Sequence, residues 1–72
     1  ELRIKSKPFR QVMKITERRY DINVHITTAA YNNAVLTIKF LNGESLEQVM
    51  EAISRLIPGM SYSIEDHDIY IR

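Results

Sequence analysis

Two short stretches decide the fold: Phe9-Arg10-Gln11-Val12-Met13 and, thirty-seven positions on, Leu46-Glu47-Gln48-Val49-Met50. Each places apolar side chains three and four residues apart, the spacing of a helix that buries one face. The first stripe continues through Thr16 and Tyr20, with Ile15 beside it; the second continues through Ile53 and Leu56 or Ile57. Arg18 falls on Arg55. The shared Gln-Val-Met reads either as an internal duplication or as the pattern any two amphipathic helices of a small domain share.

Outward from each helix the period changes from 3.6 to two. Leu2 and Ile4 alternate with Arg3 and Lys5, which predicts a half-buried strand, and Pro8 is expected at the first helical position, where a missing N–H is harmless. After the first helix, Ile22, Val24 and Ile26 alternate with Asn23 and His25. Thr27 to Asn33 is a polar connection, and Val35 to Phe40 is a third strand with Leu36, Ile38 and Phe40 on one face. Asn42-Gly43 turns the chain, Ser45 with Gln48 forms a capping-box pattern for the second helix, and Pro58-Gly59 ends it. Met60, Tyr62 and Ile64 form a fourth strand, and Ile69 and Ile71 a fifth, separated by a turn at Asp66-His67-Asp68. The expected class is α+β: two βαβ halves in the order β-α-β-β-α-β-β, two helices packed on small sheets and on each other, and a C-terminal hairpin. Ahead of the helices, Leu2 and Ile4 fall near Ile38 and Phe40; after them, with one extra residue in the loop, Ile22, Val24 and Ile26 fall on Met60, Tyr62 and Ile64.

Composition narrows the chemistry. Seventy-two residues make a single domain, and no apolar run is long enough to span a bilayer. The absence of cysteine excludes a disulfide framework, a zinc knuckle and a thiol nucleophile. No glycine-flanked serine, phosphate loop or facing pair of carboxylates is legible, so the chain reads as no enzyme. His25 lies on the outward side of its strand. His67 sits between two acids adjacent in sequence, which suits a polar turn better than a metal site; neither metal nor cofactor is expected. The net charge of +1 hides an asymmetry: residues 1–20 carry +5 and residues 21–72 carry −4. A basic first strand and helix suit an acidic partner or nucleic acid as readily as a solvated face. Nucleic acid is disfavoured because Tyr70 is the one aromatic expected to face outward on a strand.

The stretch Ser6-Lys7-Pro8-Phe9-Arg10-Gln11-Val12-Met13, followed by Tyr20-Asp21-Ile22-Asn23-Val24-His25-Ile26, resembles the C-terminal domain of FecR-like anti-sigma regulators of Bacteroidetes. So do Phe40-Leu41-Asn42-Gly43-Glu44-Ser45-Leu46-Glu47-Gln48-Val49-Met50 and the closing Tyr62-Ser63-Ile64 and Ile69-Tyr70-Ile71. The likeness covers nearly the whole chain and departs at Lys7, where the family has a small polar or acidic residue. It implies a fold similar to the secretin/TonB short N-terminal domain. It also implies a periplasmic sensor module of a membrane-anchored regulator, relaying the state of a TonB-dependent outer-membrane transducer to a sigma factor. The chain, which begins at Glu1, is then expected to be a domain excised from that longer protein, touching the sigma factor only through a missing cytoplasmic part and making no membrane contact itself.

On this reading the partner is the signalling domain of the transducer. Its expected mode is strand addition to an exposed edge, Leu2, Arg3, Ile4 and Lys5 or Ile69, Tyr70 and Ile71, with Arg3, Lys5, Arg10 and Lys14 steering an acidic surface. The alternatives are the signalling domain of the transducer itself, a small nucleic-acid-binding domain, and a regulatory domain with a small-molecule cavity.

Overall fold

A computed structural model describes all residues, Glu1 to Arg72. In chain order the elements are β1 (Leu2–Pro8), α1 (Phe9–Tyr20), β2 (Asn23–Ile26), β3 (Val35–Phe40), α2 (Leu46–Leu56), β4 (Tyr62–Glu65) and β5 (Asp68–Ile71). This is the α+β order expected from the two changes of period, closing in the β4–β5 hairpin. No helix is long and apolar enough to cross a membrane.

β1 and β3 form an antiparallel two-stranded sheet, with Leu2 opposite Phe40, Arg3 opposite Lys39 and Ile4 opposite Ile38. The alternation then breaks. Lys7 faces Leu36, so Lys5 and Ser6 together oppose Thr37 in a β-bulge. Ser6 takes the left-handed φ of 52°, and its amide donates to Thr37 Oγ1 at 3.1 Å. The bulge lets β1 run to Pro8, beyond the four residues whose period predicts a strand.

Pro8 is the last residue of β1 and the N-cap of α1, not its first helical residue, and it offers no side-chain cap. The orphan N–H of Phe9 donates instead to Ala34 O at 2.9 Å. α1 ends at Asp21 in the left-handed region. α2 carries the predicted capping box: Gln48 N donates to Ser45 Oγ at 3.2 Å, and Ser45 N donates to Gln48 Oε1 at 2.9 Å.

The second sheet has the order β2-β5-β4, with β2 parallel and β4 antiparallel to β5. This corrects one expectation: Ile69, Tyr70 and Ile71 lie on the central strand, where both backbone edges are paired. A last strand joined by a hairpin reads as an edge in the sequence, because its second neighbour, β2, is 45 residues away.

The internal repeat has a geometric counterpart. Leu2 and Ile4 correspond to Ile38 and Phe40 but pair crosswise with Phe40 and Ile38. Such pairing is what a two-fold axis through the Arg3–Lys39 pair produces. β2 and β4 likewise run antiparallel to each other on either side of β5. β5 alone has no counterpart.

Between the sheets lies one core. Phe9, Val12, Met13 and Thr16 of α1 meet Val49, Met50 and Ile53 of α2, Leu36 and Phe40 of β3, and Ile69 and Ile71 of β5. Each large apolar side chain buried there contributes roughly 1.5–3 kcal/mol. Thr16 is tolerated because its hydroxyl donates to Val12 O at 2.9 Å. The principal contacts of α1 are with β1, β2 and β3, and those of α2 with β3. The two helices thus pack on the small sheets, as expected, and share one core. Tyr31 packs edge-on to Phe9, and its hydroxyl lies 3.1 Å from Gly59 O and 2.9 Å from Arg72 O, sharing its one proton between them and tying the polar connection to the end of the chain.

Candidate functional site

Ile4 is the anchor of β1: it is 5% exposed, while every other residue of that strand faces solvent. Alternation therefore turns Arg3 and Lys5 outward. With Thr37, Ile38 and Lys39 of the neighbouring strand, these three residues line an open depression of about 530 Å³. Arg3 and Lys39 are direct cross-strand partners, a like-charge pairing that costs stability unless something intervenes. Glu1 intervenes: its two carboxylate oxygens lie 3.1 Å from Arg3 Nε and 3.1 Å from Lys39 Nζ. Lys5 has no ion-pair partner. The depression is thus a cationic patch beside a strand with one neighbour. Thr37 and Lys39 are legible as the outward face of β3, but their placement beside Arg3 and Lys5 depends on the β1–β3 register, which no local signal carries.

The other expected site residues lie elsewhere. Arg10 and Lys14 flank a groove of about 210 Å³ between α1 and β2, with Met13, Val24 and Ile26 on its walls. Arg10 donates to Asn32 Oδ1 at 2.8 Å. Glu17, also on this groove, accepts from Val24 N at 2.8 Å and so blocks part of the β2 edge. Ile69 and Ile71 are fully buried. Leu2, 37% exposed, begins the β1 edge.

Tyr70 is on the outer face of the three-stranded sheet. Its ring stacks on His25 with centroids 4.8 Å apart and planes 15° apart. His25 Nε2 contacts Asp68 Oδ1 at 2.9 Å. That hydrogen bond chiefly holds the Asp68 carboxyl below its ordinary 3.8, against a smaller upward effect of desolvation.

A third groove, of about 480 Å³, lies along α2 and β4 and went unrecognised in the sequence; Glu47, Glu51 and Tyr62 line it. Tyr62 Oη donates to Glu51 Oε2 at 3.4 Å, and burial, reinforced by the Glu51 charge, pushes its phenol above 10.0. No three His, Asp or Glu side chains converge as metal ligands. The surfaces offered are open, charged and flanked by strand edges, a geometry for docking macromolecules.

A family model described as FecR, C-terminal matches residues 1–71. No curated protein and no solved structure gives a significant match.

Proposed function

This chain belongs to the FecR C-terminal family, and from that premise we propose that it is a docking module through which a transducer's signalling domain is sensed. The family is one of anti-sigma-factor-like regulators, membrane-anchored and not enzymatic. The finer reading is a domain on the periplasmic side, facing a TonB-dependent outer-membrane transducer. It passes the signal to a sigma factor through a cytoplasmic part of the longer protein.

One observation carries the proposed mode: β1 has a single neighbour, and its free edge runs past Arg3 and Lys5. An added strand gains backbone hydrogen bonds along Leu2 to Lys5, and the bulge at Lys5 and Ser6 ends that register. The same cations and bulge repel a second copy of β1, so the edge is closed to itself and open to an acidic strand.

The test is titration of the isotopically labelled chain with a transducer signalling domain, followed by backbone NMR. Shifts are expected along Leu2 to Lys5 and across into Thr37 to Lys39. The double variant Arg3→Glu/Lys5→Glu is expected to weaken binding about tenfold or more, with the largest loss at low salt. Shifts confined to α2, or none, would refute the proposal.

A further inference from the structure

The likeness of the halves places two of the grooves at related positions, with Arg10, Lys14 and Val24 on one matched by Glu47, Glu51 and Tyr62 on the other. One lies between α1 and β2, the other between α2 and β4. Helix positions correspond one to one: Arg10 to Glu47, Gln11 to Gln48, Met13 to Met50, Lys14 to Glu51. The buried pairs Val12 with Val49 and Met13 with Met50 are identical, while Thr16 falls on Ile53. Two exposed positions that line both grooves reverse sign, Arg10 and Lys14 on α1 against Glu47 and Glu51 on α2; each groove also holds one opposite charge, Glu17 on the first and Arg55, 3.5 Å from Glu51, on the second, so the first is cationic by one charge and the second anionic by one. Local stability accounts for the acids of α2 but not for Arg10. Arg10 occupies the first turn of α1, where the macrodipole disfavours a cation, and that turn contains no acid. Glu47, at the same turn of α2, is where an acid belongs.

We infer that these grooves are the two halves of a self-complementary interface: the α1–β2 face of one copy docks on the α2–β4 face of another. The chain itself supplies both partners, Arg10 and Lys14 against Glu47 and Glu51. β2 and β4 are the outer strands of the same sheet, so side-by-side copies align sheet with sheet. The contact is heterologous and leaves one groove unused on each copy, of opposite sign at the two ends of the pair, so it propagates as a ring or a row. It is separate from the β1 edge and does not depend on the transducer reading. Association is weak in solution and grows with the high local concentration of chains held at a surface.

Sedimentation velocity on this 72-residue chain tests the inference. At about 0.01 M salt, where screening extends over roughly 30 Å, the mean mass is expected to rise with protein concentration above 8.4 kDa. At about 1 M salt it is expected to stay at the monomer value. Lys14 and Glu47 hold no salt bridge within the chain, so Lys14→Glu and Glu47→Lys remove no internal ion pair; circular dichroism checks that both variants fold. Each alone is expected to associate about tenfold more weakly, and an equimolar mixture to recover, because it regenerates one native contact. A wild type that stays monomeric at millimolar concentration and low salt overturns the inference. So do single variants that associate like the wild type, or a mixture that stays monomeric. Glu47 is no part of the β1 edge or of the cations expected to steer the transducer domain, so Glu47→Lys should leave that binding unchanged, and failure here leaves that proposal standing.

Discussion

Asp68 is the residue whose ionisation the fold perturbs most legibly. Its carboxyl accepts from His25 and titrates below 3.8 in the folded chain. The unfolded state therefore binds more protons across that interval, and stability rises with pH there. The contribution is complete above the ordinary carboxylate value and is lost as pH falls through the depressed one. Asp68→Asn should lower the urea midpoint at neutral pH and converge with the wild type once acid protonates the carboxyl; an equal gap at both extremes would contradict the assignment. Ser63 presents the opposite case. Its Oγ is buried opposite Tyr70 and has no hydrogen-bond partner within the protein. Removing an unsatisfied buried hydroxyl relieves a desolvation cost, so Ser63→Ala should raise the free energy of unfolding by up to about 1 kcal/mol in chemical denaturation.

At the scale of elements, the two helices begin by different physics. α2 is locally specified: Ser45 and Gln48 satisfy each other's backbone donors, and Glu47 suits the macrodipole. α1 has no side-chain cap, and its first donor is satisfied by Ala34 across the molecule. Ser45→Ala should therefore cost about 1 kcal/mol and increase hydrogen exchange at the start of α2. A loss under a few tenths would mean that the box is not holding that end. This contrast explains what was legible. The capping box, the helical stripes and the alternating strands are local patterns. The bulge at Lys5 and Ser6 and the capping of Phe9 by Ala34 depend on β3, distant in sequence, and leave no local mark.

At the scale of the molecule, one core must stabilise seven elements. A chain of this length has about 4–11 kcal/mol of net stability. Phe40 is fully buried, and the Arg19 guanidinium lies 5.4 Å from its ring centroid. Phe40→Ala should cost about 3–5 kcal/mol and leave much of the chain unfolded at 37 °C. Phe40→Leu, which keeps most of the volume, should retain a cooperative thermal transition. The candidate site is also a whole-molecule feature. The sequence placed Arg3, Ile4 and Lys5 on an edge, as β1 proves to be, but grouped with them Arg10 and Lys14, which lie on another groove, and Ile69 to Ile71, which the sheet encloses.

Hydropathy period, caps and turns are properties of neighbours along the chain, so the sequence by itself determined seven elements in order, their buried faces and the likeness of the two halves. It also determined the charge division, +5 on residues 1–20 against −4 on the rest. Strand partners are chosen by contacts across long loops, where many registers satisfy the same alternation. Only the tertiary structure decided that β1 pairs with β3, that β5 lies between β2 and β4, and that Arg10 and Lys14 line one groove while Glu47 and Glu51, at the matching positions of the second helix, line another.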